Sequence, residues 1–73
     1  MTRALPIVSG AEVIKALGRA GFEHVSQRGS HVKLRRAGGP TVIVPLHREL
    51  ARGTLRSILR QADLTAEEFS KLF

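Results

Sequence analysis

The 73-residue chain contains no cysteine. That excludes disulfides and thiolate metal sites. It suits a reducing compartment, and a cytoplasmic location is the expectation. No apolar run approaches the roughly 20 residues that a membrane-spanning helix needs. The opening MTRALPIVSG has one arginine and a short apolar patch, without the long apolar core of a secretory signal. Tryptophan and tyrosine are absent and there are only three phenylalanines, so stacking platforms for single-stranded bases are nearly missing. Phosphate loops and dinucleotide fingerprints are missing too. No His, Asp and Glu cluster has metal-ligand spacing, so neither a metal nor a cofactor is expected. No repeat or low-complexity stretch breaks the chain, and its length implies one small domain over residues 1–73. Carboxylates are scarce: six against twelve Lys+Arg, a formal net charge of +6 and a pI near 11.5.

A small domain this basic attracts polyanions. Most of its cations are arginine, which grips phosphate in a bidentate fork. Nucleic acid is the favoured partner class, and an acidic protein is the main competitor.

The local signals place the elements. Ser9-Gly10-Ala11-Glu12 is a capping box. Val13, Ile14, Leu17 and Ala20 follow at helical spacing. Gly21 supplies a left-handed stop. A first helix over about 10–20 results, with Phe22 in the core just beyond it. A strand over about 23–28 comes next, then Gly29-Ser30 as a two-residue hairpin turn with Gly where positive φ is needed. The return strand covers about 31–36. Ala37-Gly38-Gly39-Pro40 makes a second turn. Thr41-Val42-Ile43-Val44 is β-branched throughout, and Pro45 ends it. Leu55, Ile58, Leu59 and Ala62 form an apolar stripe, with Gly53 interrupting before a helix over about 54–62. Arg48, Arg52, Arg56 and Arg60 recur every four residues off that stripe. Thr65-Ala66-Glu67-Glu68 opens a short last helix with Phe69, Leu72 and Phe73. The order α-β-β-β-α-α predicts an α+β fold: a three-stranded antiparallel sheet with helices on one face.

A two-residue loop sets the register: Arg28 opposite His31, Gln27 opposite Val32, Ser26 opposite Lys33 and Val25 opposite Leu34. Side chains alternate faces. Val25, Val32 and Leu34 then point to the core. His24, Ser26, Arg28, His31, Lys33 and Arg35 make a basic open face.

His31 is the residue on that face best suited to proton transfer, since imidazole titrates closest to neutral pH. Arg28, Lys33 and Arg35 around it suit a phosphate and charge developing on it. RNA carries its own nucleophile in the 2′-hydroxyl, so one base beside a phosphate clamp suffices to cut it without a metal. His24 on the same face reads best as a solvated strand residue. His47, just past the third strand, Arg52 just before the expected helix and Arg56 on it are secondary candidates. The carboxylates form no catalytic pair, because Glu12, Glu67 and Glu68 serve as helix caps. Three readings stand on these residues. One is a ribonuclease. Another is a binding module that grips RNA without cutting. The third is a basic face shaped for an acidic partner protein.

The stretches VSGAEVIKAL, GFEHVSQRGSHVKLRR and TVIVPLHREL with GTLRSILRQADLTAEEF resemble the HicA toxin family, small mRNA interferases of prokaryotic toxin–antitoxin systems. The likeness runs from about Leu5 to Leu72. It is carried by Gly21-Phe22, Gly29-Ser30-His31, Val44-Pro45-x-His47 and Gly53-Thr54-Leu55 together. The resemblance implies a double-stranded-RNA-binding-domain-like fold, with His31 as the catalytic histidine. On the reading of the residues themselves, Arg28, Lys33 and Arg35 are the expected contacts to the RNA phosphate, with Gly29 and Ser30 shaping the turn. The resemblance implies an endoribonuclease toxin that arrests translation by cutting mRNA. It also implies a HicB-type antitoxin that covers His31 and through which the protein oligomerises.

Overall fold

The computed structural model describes residues 7–73. Most of the opening segment read above for a signal, and Leu5 where the resemblance begins, lie outside the described residues. Six elements follow one another: α1 (Gly10–Arg19), β1 (Phe22–Arg28), β2 (His31–Arg36), β3 (Thr41–Pro45), α2 (Arg52–Ala62) and α3 (Ala66–Ser70). The strands form one antiparallel sheet in the order β1-β2-β3. This is the α+β arrangement expected from the sequence.

Two of the three helix starts have a local cause. The Ser9 hydroxyl accepts from Glu12 N–H at 3.1 Å, and the Glu12 carboxylate accepts from Ser9 N–H at 2.9 Å. Thr65 and Glu68 repeat the arrangement at α3. α2 has neither device: its N-cap is Ala51, with no side-chain cap and no acid in its first turn. It starts at Arg52, two residues before the expected Thr54, and takes Gly53 into its first turn. First-turn N–H groups have no intrahelical acceptor in any case, so α2 is held by packing. Leu55, Ile58, Leu59 and Ala62 are all buried, as their spacing predicted. It ends at Asp63 in the left-handed conformation (φ 59°), which Asp tolerates better than most residues.

One face of the sheet contributes Val32, Leu34, Val42 and Val44 to the core, where they join Val13, Ala16 and Leu17 of α1, the α2 stripe and Phe69. The hairpin turn forms as expected, with Gly29 at φ 58° and no positive φ at Ser30. That is the pattern of a turn in which only the first central residue needs glycine. Three of the four predicted cross-strand pairs are present: Arg28 with His31, Gln27 with Val32 and Ser26 with Lys33.

The fourth pair is wrong. A β-bulge falls between His24 and Ser26, and Leu34 pairs with His24 instead of Val25. Val25 is therefore 54% exposed and not in the core. His24 stands in register with Leu34 and not on the open face with Lys33. The cause lies at Phe22. Unbroken alternation from Arg28 would put Phe22 on the open face. The extra residue restores it to the core side, where it is 4% exposed. The Arg36 guanidinium then sits 5.3 Å from its ring centroid. Burying a phenylalanine is worth roughly 1.5–3 kcal/mol and a cation–π contact about 0.5–1 more, which outweighs exposing one valine.

Candidate functional site

The open face of the sheet carries the candidate chemistry. Cross-strand pairing aligns Arg28, His31 and Pro45 at the turn end. One step along come Ser26, Lys33 and Ile43. Two backbone-directed contacts brace the turn. Gln27 Nε2 donates to the Gly29 carbonyl at 2.9 Å, and Leu46 N–H donates to the Ser30 carbonyl at 2.6 Å. Behind that segment, Gly10 N–H donates to the His47 carbonyl at 2.9 Å. The start of α1, the end of β3 and the His31 turn are thus tied together through backbone groups.

A depression of about 330 Å³ on this face is lined by Ser26, Arg28, His31, Lys33 and Ile43. Ser26, Arg28, His31 and Lys33 are exposed. Among the described residues, none of the three charged or imidazole groups has a hydrogen-bond or ion-pair partner. An imidazole and two cations therefore converge on one solvent-open space. The two cations are groups that can neutralise an anion such as phosphate, and an imidazole is a group able to exchange a proton with a hydroxyl beside it.

Of the residues singled out in the sequence, Arg28, His31 and Lys33 are brought together in this depression. Gly29 and Ser30 shape the turn and do not line it. Arg35 shares the open face but stands outside the depression, paired with Glu23 on one side and Thr41 on the other. Directly opposed side chains on a sheet lie about 4.5–5.5 Å apart at Cβ, so the Glu23 carboxylate offsets part of the Arg35 charge. His47 is exposed, contributes its backbone carbonyl to Gly10 and does not line the depression. Arg52 and Arg56 are exposed on α2 and also outside it.

Ile43 was read only as a strand residue. Its place in the site follows from pairing β3 onto β2, where it faces Lys33. Its N–H points off the free edge of β3 and donates to Gln61 Oε1 of α2 at 3.0 Å. Among the described residues, no three His, Asp or Glu side chains are grouped to hold a metal ion, and no helix is long and apolar enough to cross a membrane.

The fold and site define a small basic α+β domain with one helix-covered sheet face and one open face centred on a histidine. The family model described as the HicA toxin of bacterial toxin–antitoxin matches residues 10–64, which span every element except α3. The chain belongs to the HicA toxin family. Membership gives it a toxin role in a toxin–antitoxin system and implies a HicB-type antitoxin as partner. Comparison with curated proteins gives no significant match.

Proposed function

We propose that the protein is an endoribonuclease toxin that cuts mRNA, and so arrests translation, with His31 as the proton-transferring residue. The observation that carries this reading is the convergence of His31, Arg28 and Lys33 on one open depression. His31 takes the proton of a 2′-hydroxyl, which attacks the adjacent phosphorus. Arg28 holds the non-bridging oxygens in a bidentate, charge-assisted contact. Gly29 and Ser30 set the position of the imidazole through the turn, and Arg35 is an outlying phosphate contact tempered by Glu23. Arg52, Arg56 and His47 contribute at most at a distance, through RNA beyond the cut linkage. The chemistry needs no metal, because the substrate supplies its own nucleophile. The exposure of His31 also makes it coverable, and a HicB-type antitoxin seated on this face would block the site and bring toxin copies together.

The test is cleavage of a long single-stranded RNA in EDTA by the wild type and by His31→Ala. Wild-type cutting that the variant loses, with RNA binding retained, is the expected result. Equal cutting by both proteins removes His31 from the chemistry. Binding at low salt with no cutting by either turns the reading into an RNA-binding module.

A further inference from the structure

The proposed reaction moves two protons, and His31 accounts for one. The inference here rests on the nuclease reading of the same depression and concerns the second proton, which must reach the departing 5′-oxygen. The geometry points to Lys33 as the general acid of the cleavage step, beyond any part it plays in holding phosphate.

In-line displacement puts the attacking and leaving oxygens on opposite sides of phosphorus. A base and an acid serving them must therefore flank the phosphate from two sides. His31 and Lys33 are two residues apart on β2, and their side chains line the same depression. Two steps along a strand separate their backbones by about 7 Å on one face. The four-carbon stem of Lys33 supplies the remaining reach. Arg28 stands across from His31, at the other strand of the turn.

The other lining residues are excluded by chemistry. Arg28 cannot release a proton near neutral pH. The Ser26 hydroxyl is a weaker acid than an ammonium group, and Ile43 has no proton to give. Lys33 carries three donors on one ammonium group, and among the described residues no carboxylate or other partner engages it. The step balances. The 2′-oxygen–phosphorus bond forms as His31 takes the 2′ proton. The phosphorus–5′-oxygen bond breaks, and its electron pair takes a proton from Lys33 Nζ. The products are a 2′,3′-cyclic phosphate and a 5′-hydroxyl. Imidazolium and neutral amine then return to their starting states by exchange with water.

The experiment uses Lys33→Arg and His31→Ala in the full chain, on two versions of one short RNA. The RNA is built round a linkage that the wild type cuts. One version is natural; the other carries sulfur in place of the bridging 5′-oxygen, and a thiolate departs without a proton. Arginine keeps the charge of Lys33 but holds its proton. The expected result is that Lys33→Arg cuts the natural RNA about 10²-fold more slowly or worse, with the salt dependence of RNA binding preserved. On the sulfur-bridged RNA it recovers most of that loss, while His31→Ala stays slow on both. Equal losses by Lys33→Arg on both RNAs would leave Lys33 a phosphate contact only and overturn the inference, as would a wild-type rate on natural RNA. A wild type that cuts no RNA overturns the nuclease reading itself, and the role of Lys33 with it.

Discussion

Replacing Gly10 with alanine tests how the helix layer is docked to the sheet. Helix propensity favours the change by up to about 1 kcal/mol. The structure demands the opposite sign. A Cβ on Gly10 would run into the carbonyl oxygen of Pro45, and it would lie 2.9 Å from that carbonyl carbon and 3.0 Å from Leu46 Cα. Every one of these atoms is backbone, so no side chain can swing aside. Relief requires α1 to move away from the end of β3, and overpacking of this kind costs about 1–3 kcal/mol. The same movement lengthens the Gly10 N–H to His47 carbonyl bond, worth roughly 0.5–1.5 kcal/mol. Subtracting the propensity gain from these two costs leaves a net loss of about 2 kcal/mol. A domain of this length holds roughly 4–11 kcal/mol in all, so the loss is a large fraction. Urea unfolding followed by circular dichroism measures it. Gly18→Ala is the internal control: it lies in the same helix with nothing within 4 Å of its added Cβ, and should gain about 0.5–1 kcal/mol. A Gly10→Ala protein as stable as the wild type would refute the close approach of α1 to β3.

Three further outcomes are expected. Phe69 is fully buried and meets Phe73 edge-on at 5.0 Å; Phe69→Ala should cost about 3–5 kcal/mol in the same unfolding assay, and a loss below about 1 kcal/mol would detach α3 from the core. Gln61→Ala should free the Ile43 amide, seen by NMR as faster hydrogen exchange there, at a cost near 1 kcal/mol; unchanged exchange would mean that the side chain does not cap the β3 edge. Hydrogen bonding by the Thr65 backbone, and next by its side chain, holds the Glu68 carboxyl below its ordinary 4.5. A depressed carboxyl stabilises the fold above its ordinary value and loses that contribution as pH falls through the folded one. The stability gap between wild type and Glu68→Gln should therefore narrow below about pH 4.5, and a gap constant down to pH 3 would dismiss the cap as a titrating contact.

Much of this was legible because it is written in short range. The capping boxes at Ser9 and Thr65 need only four residues each. The Gly29-Ser30 turn dictates three cross-strand pairs by itself, and with them the company His31 keeps. What escaped needs partners far apart in sequence. The start of α2 at Arg52 has no cap to announce it and comes from the packing of Leu55 and Leu59 under the sheet. Ile43 joins the site only once β3 is laid against β2, and Gln61 meets it from a helix 18 residues on.

The bulge at Val25 was legible in principle, and it decides what the site contains. Phe22 and Val25 were both expected in the core. They are three positions apart, and a strand with a period of two cannot place both on one face. One had to yield, or the strand had to take up an extra residue. The larger ring wins, and the bulge is how the chain accommodates it. The consequence reaches the open face. Without the bulge, His24 would face Arg35 there, adding a second imidazole to the basic surface. With it, Glu23 takes that place beside Arg35. The cationic field is trimmed at the far end and kept whole at the turn end, where Arg28 and Lys33 flank His31. A packing choice at Phe22 therefore leaves the turn end of the open face with one imidazole between two unopposed cations.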